Sequence, residues 1–423
     1  MVQVKIPYGK KQLPISFDDA VDVTVRDISK TTPVDSNAAE IRRALLNPIG
    51  TARIAEFAKG KKTAAIAISD FSRPTFDREI LPQLLDELNV GGIADPNICI
   101  IIGGGLHARM KPGEVHEKVG PAIRKRVRVV QHDADRDLVS VGVSRFGNEI
   151  QINSTMVQAD VKIATGDIVP HPYAGFSGGG KAVMPGLAGR NTVMKNHLMV
   201  KAELNIGQMS NNPVREEIDE AARLLHLDFI VNTIQNADGD LVRVVAGDPL
   251  EAHRAGATVC ASIYSVPVKE KPDLIVASAF PYDRDFYYCS KPLENTGSIV
   301  KDGSTVILVS PCRGGIGSKD LEYFLSKPSP ETILESIKQN PKRNLVTAIV
   351  AYQVACLRSR ANIIAHTEGL KPSTLRMIGL KSSTNLQKTI DETVAERGAG
   401  AKILVLPHGS TTMPVLNSQQ SDS

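Results

Sequence analysis

The sequence predicts an α/β protein built as two α/β domains with mainly parallel sheets and an active-site cleft between them. Short runs rich in Ile, Val and Ala, such as Ile98-Cys99-Ile100-Ile101-Ile102, alternate with helical stretches along the chain. The runs are apolar throughout, as expected of strands covered on both faces. A chain of 423 residues also exceeds what one core usually serves. The boundary is placed in the Pro- and Lys-bearing stretch 266–272, giving an N-terminal domain 1–268 and a C-terminal domain 269–423.

Residues 1–25 read as two short strands around Gly9-Lys10-Lys11-Gln12. A helix over 37–46 follows, with Asn37 as N-cap and Glu40 three residues later as in a capping box. Asn47-Pro48 ends it, because proline lacks the amide donor. A second helix covers 53–59. The strand 63–69 then ends in Asp70-Phe71-Ser72-Arg73-Pro74. A helix over 79–88 tolerates Pro82 only if that residue lies near its first turn. Strand 98–102 leads into Gly103-Gly104-Gly105-Leu106-His107, strand 127–130 ends near His132, and strand 161–165 leads towards His171. Further strands fall at 273–278, 305–309, 362–365 and 402–406, the first running into a segment that holds Tyr288 and Lys291. The tail 417–423 is polar and expected to fray.

Composition excludes several function classes. The net charge of +4 is spread along the chain, and aromatics are only 4%. The densest basic cluster, 124–128, has no interleaved aromatic and reads as a helix end entering a strand, so no nucleic-acid partner is expected. No apolar run reaches the ~18 residues of a membrane span, and the start reads as a strand and not as a signal peptide. The five cysteines are scattered without CxxC spacing, which suits a reducing, cytoplasmic location.

In open α/β sheets, ligands bind beyond the carboxyl ends of the strands. Asp70, Arg73, His107 and His171 all follow such ends. The stretch from His171 to His197 adds a glycine-rich loop and Lys181, a residue able to meet an anion or, when desolvated, to act as a nucleophile. Gly175 to Lys181 fits the GxxxxGK spacing of a phosphate loop, which makes a P-loop-like nucleotide-binding NTPase one alternative. Ala182 stands where such a loop has Ser or Thr for magnesium, and the preceding strand ends too early for the usual strand–loop–helix unit.

Taken together, these motifs resemble the nickel-dependent lactate racemase family. Asp70-x-x-Arg73-Pro74, Gly103-Gly104-Gly105-Leu106-His107 and the spacing of His171, Lys181 and His197 match its pattern, and Lys291 matches a basic residue of its second domain. The resemblance implies a nickel-pincer nucleotide (nickel pyridinium-3,5-bisthiocarboxylate mononucleotide) covalently bound at Lys181, with His197 as the protein ligand to the metal. It implies His107 and His171 as the two acid/base groups. Arg73 and Lys291 would hold the substrate carboxylate, and Asp70, Phe71, Ser72 and Arg73 would lie against the cofactor. It also implies cofactor-biosynthesis proteins as partners and a small 2-hydroxy acid as substrate. Where the lactate racemases have a glutamine three residues before the matching lysine, this chain has Tyr288. A substrate other than lactate is therefore expected, with Tyr288 lining its site; a catalytically inactive binding homologue is the remaining alternative. The chemistry suits these groups. Loss of hydride with the hydroxyl proton gives a flat keto acid that can be reduced on either face, and each enantiomer presents its hydroxyl to a different base.

Overall fold

Two six-stranded sheets organise the chain in the computed structural model, which describes residues 1–71, 75–201, 206–340, 343–398 and 400–417. The architecture is α/β with mainly parallel sheets, as expected. One unit comprises Lys30–Val200 and Gly207–Ile263. Its sheet runs, in spatial order, Leu241–Gly247, Phe229–Gln235, Val161–Asp167, Ala64–Ser69, Ile98–Gly103 and Arg128–Gln131. All neighbours are parallel except the first pair, an antiparallel hairpin.

The central strands are apolar because both faces are covered. Ile66, Ile100 and Ile163 are fully buried in one cluster with Ile80, Leu81, Leu84, Leu85 and Leu88. Those last five recur at helical spacing along Asp77–Val90 and form its inner face. Each such side chain contributes roughly 1.5–3 kcal/mol on burial. Pro82 lies inside this helix, which starts at Asp77, two residues before the expected position. The helix Asn37–Leu46 has the expected bounds, but its cap is Ser36, whose Oγ accepts from the Ala39 amide at 3.3 Å. Glu40 closes no capping box; it is buried, accepts from the Val244 amide at 2.9 Å and pairs with Arg43 at 2.7 Å.

The second unit comprises Met1–Ser29, Lys201–Ile206 and Tyr264–Ser423. Its sheet is parallel throughout, in the order Lys381–Ser383, Asn362–His366, Thr305–Val309, Leu274–Ser278, Lys402–Leu406 and Asp22–Val25. The division at 268 differs from these units in the N-terminal segment. Asp22–Val25 forms the edge beside Lys402–Leu406, and the hairpin Val2–Tyr8/Lys11–Phe17 buries Ile6, Ile15 and Phe17 against Leu274, Val276 and Ile403. Pairing between strands at opposite ends of a chain leaves no local pattern to read.

The first unit also holds a buried ion pair. Asp77 Oδ1 accepts from Thr165 Oγ1 at 2.7 Å, and its Oδ2 lies 3.0 Å from Lys118 Nζ. Both side chains are almost wholly buried. Removing one partner strands a buried charge, so Asp77→Leu is expected to lose about 3–5 kcal/mol in urea denaturation. The double change Asp77→Leu/Lys118→Met is expected to recover most of that loss. A single variant as stable as the parent would contradict the pairing.

Candidate active site

Three neighbouring parallel strands end side by side, and their carboxyl ends set the site. Ala64–Ser69 lies between Ile98–Gly103 and Val161–Asp167. The first leads directly to Asp70, the second to Gly104 and His107, and the third to His171. Asp70 is buried, and its Oδ2 lies 2.8 Å from His107 Nδ1. An ionised carboxylate only accepts, so Nδ1 carries the proton and Nε2 is the basic nitrogen. A Cβ at 104 would stand 2.9 Å from Asp70 Oδ2, so glycine there leaves the carboxylate its place. The result is a base at the surface, 40% exposed, fixed by a carboxylate that is 11% exposed. Asp70, expected to lie against a cofactor, here orients His107.

Beyond the third strand, buried rings form a chain of contacts. His171 and Tyr173 meet edge to face with centroids 4.4 Å apart, and Tyr173 meets His197 at 5.4 Å. Lys181 Nζ lies 3.3 Å from His171 Nε2 and 5.8 Å from the Tyr173 centroid. The Ala174 amide donates to His171 Nδ1 at 3.3 Å. Nε2 is thus the ring nitrogen that faces Lys181. Tyr173 was not among the sequence candidates; its place between two of them in one short stretch was the available signal.

His197 is the last residue of the helix Arg190–His197 and is 3% exposed. Burial first, and then the Lys181 charge, hold its pKa down to about 3, with His107 adding a smaller push. The Val193 carbonyl one turn earlier opposes this weakly, and no hydrogen bond of good geometry reaches Nδ1. The ring is therefore neutral at pH 7 and keeps an unsatisfied buried nitrogen. Both are properties of a metal ligand. Among the described residues, no three His, Cys, Asp or Glu side chains converge as a metal cluster.

The glycine loop is not a phosphate cradle. A Cβ on Gly180 would stand 2.8 Å from the Ile218 carbonyl oxygen, and one on Gly179 would stand 2.8 Å from the His253 ring. The Gly179 amide donates to Asn232 Oδ1 at 2.8 Å. Lys181 sits in a short 3-10 turn, Gly179–Ala182, and not at the start of an α-helix. The loop is packed against protein on these sides, which removes the helix N-terminus and open amides that an NTPase loop needs. His253, which no local pattern marks, locks it from below by donating from Nε2 to the Ser177 carbonyl at 2.7 Å.

The remaining candidates are Phe71, Ser72, Arg73, Tyr288 and Lys291. Phe71 is 45% exposed, and Ser72 and Arg73 lie outside the described residues. Lys291 and Tyr288 belong to the second unit. Lys291 Nζ stands 3.5 Å over the Tyr282 ring centroid. The Tyr288 ring is held edge to face against Tyr287 at 5.0 Å and lies under the Arg284 guanidinium at 4.7 Å. No described helix is long and apolar enough to cross a membrane.

Comparison with known proteins finds relatives over most of the chain. The profile of the lactate racemase N-terminal domain matches residues 8–208, and that of the lactate racemase C-terminal domain matches residues 268–413. The lactate racemase of Thermoanaerobacterium thermosaccharolyticum is 30% identical over 347 residues, covering 80% of this chain and 81% of that one. The lactate racemase of Lactiplantibacillus plantarum is 27% identical over 421 residues, covering 97% and 99%. Among solved structures, the lactate racemase apoprotein of T. thermosaccharolyticum superposes with a TM-score of 0.88 at 26% identity, covering 99% of this chain and 100% of that one.

Burial gives a pH dependence of stability. Burial, and then the Arg215 charge, hold the His253 pKa at about 3 against an ordinary 6.5. Below pH 6.5 the unfolded chain therefore binds a proton that the folded chain refuses, and stability falls with pH towards 3 at about 1.4 kcal/mol per unit. His197 shifts in the same direction. Between pH 7 and pH 5 the two are expected to remove about 4 kcal/mol in denaturant titrations, and His253→Gln is expected to lose about half as much. A flat profile over that window would contradict the burial of neutral rings.

Proposed function

The chain belongs to the lactate racemase family and is an isomerase of the racemase class; we propose that it racemises or epimerises a small 2-hydroxy acid by reversible proton-coupled hydride transfer, using a nickel-pincer nucleotide tethered to Lys181. The carrying observation is the contact of Lys181 with His171 and, through Tyr173, with His197, at the strand ends that also bring Asp70 to His107. The residues fit the cofactor. His197 offers a neutral, buried imidazole with an unsatisfied nitrogen, suited to nickel. A metal arriving with ligands of its own also suits a site where the described protein donors form no cluster. When bound, the cofactor supplies the hydride acceptor that no side chain provides.

The chain's own residues supply the rest. His107 Nε2, with its tautomer fixed by Asp70, takes the hydroxyl proton of one enantiomer. His171 takes that of the other. Lys181, whose Nζ lies beside His171 Nε2, forms the covalent tether. Arg73 would grip the substrate carboxylate bidentately, with Lys291 as a second cation. Tyr288, a phenol braced by Tyr287 and Arg284, stands in place of the family glutamine and favours a substrate other than lactate. The reading also places the protein in the cytoplasm, served by proteins that make and load the cofactor.

Cofactor-loaded protein and chiral chromatography over a panel of 2-hydroxy acids test the activity. His107→Ala and His171→Ala are each expected to slow racemisation by about 10²–10⁴-fold. Intact mass is expected to show an adduct on the parent that is absent from Lys181→Ala. Unimpaired turnover in both histidine variants, or an adduct that survives the lysine change, would refute the assignments.

A further inference from the structure

One end of a single helix holds both the Lys181 loop and the His197 helix. The helix is Pro213–Leu225, capped by Asn212, which is itself fully buried. Asn212 Nδ2 donates to the Tyr173 carbonyl at 3.0 Å. Arg215, 1% exposed, donates from Nη1 to the Phe176 carbonyl at 3.1 Å. The Ile218 carbonyl closes against Gly180. These three contacts set the loop that carries His171 and Lys181.

Glu217, on the same stretch, serves the other element. It is fully buried, and neutral side chains donate to its carboxylate: Ser144 Oγ at 2.6 Å, Asn148 Nδ2 at 3.2 Å and Asn196 Nδ2 at 3.0 Å. Asn196 immediately precedes His197, and its amide also donates to the Val214 carbonyl at 3.2 Å. Asn148 in turn donates to the Thr192 carbonyl at 3.0 Å, within the same helix. A carboxylate buried among neutral donors is a costly choice for mere packing. Two of its donors, Asn148 and Asn196, reach the helix that ends in His197.

We propose that Glu217 is a positioning residue for His197 and that Arg215 is its counterpart for Lys181, so that the helix Pro213–Leu225 fixes the spacing of the two. The assignment rests on the function proposed above only for its chemical meaning; the placement of the His197 ring is measurable without cofactor. Outer partners of metal-ligating histidines commonly change metal affinity by about 10–100-fold when removed.

The test uses the full chain labelled on its histidines, with the His197 ring signal assigned by its loss in His197→Gln. In folded Glu217→Ala, that signal is expected to move or broaden while those of exposed His116 and His226 stay in place. Glu217→Gln, which keeps an acceptor for Asn196, is expected to restore it. In cofactor-loaded protein, Glu217→Ala is expected to retain metal about 10–100-fold more weakly than the parent on dialysis. Should Glu217→Ala fail to fold, Asn196→Ala decides by the same readings, because it leaves Ser144 and Asn148 on the carboxylate. A lowered melting temperature with an unmoved His197 signal and unchanged metal retention would overturn the proposal. A parent that retains no metal, with the ring signal still displaced in Glu217→Ala, would leave the positioning role standing and count against the cofactor reading alone.

Discussion

Parallel pairing of Ala64–Ser69 with a strand on each side is the constraint from which the site follows. Parallel strands joined by crossovers release their chains at the same edge of the sheet. Asp70, His107 and His171 therefore arrive at one edge although their positions in the sequence are far apart. Beyond the third strand, Val161–Asp167, burial extends to His171, Tyr173 and His197. His197 is neutral because of its burial, and the half-buried Lys181 lies beside a ring nitrogen.

Two styles of histidine result. His107 sits near the surface and depends on a carboxylate to fix its tautomer. His171 and His197 are buried and depend on rings, a lysine and backbone. In the proposed reaction the two bases, His107 and His171, need not be alike. The buried side carries more supporting structure, since the loop and helix there are pinned by Asn212, Arg215 and Glu217.

Much of this was legible in the sequence because it depends on local pattern. The central strands and the helix Asn37–Leu46 follow from apolar runs and helical periodicity. The motif residues at the strand ends follow from where those runs stop. What escaped depends on distance. Asp22–Val25 joins a strand at the far end of the chain, the antiparallel edge Leu241–Gly247 follows a strand of the same apolar character as its parallel neighbours, and Glu217 and His253 meet their partners only after folding. The glycine loop misled in one respect. Its spacing suggested a phosphate, while its glycines are needed for close packing against Ile218 and His253.

The account stands or falls on hydride transfer between substrate and cofactor with the proton passing to a histidine. The direct measurement is the fate of a 2-deuterated single-enantiomer 2-hydroxy acid racemised by loaded protein in ordinary water. Product of inverted configuration that keeps its deuterium is the expected result. Product that has exchanged deuterium for solvent hydrogen would mean that the C2 hydrogen leaves as a proton and would contradict the account.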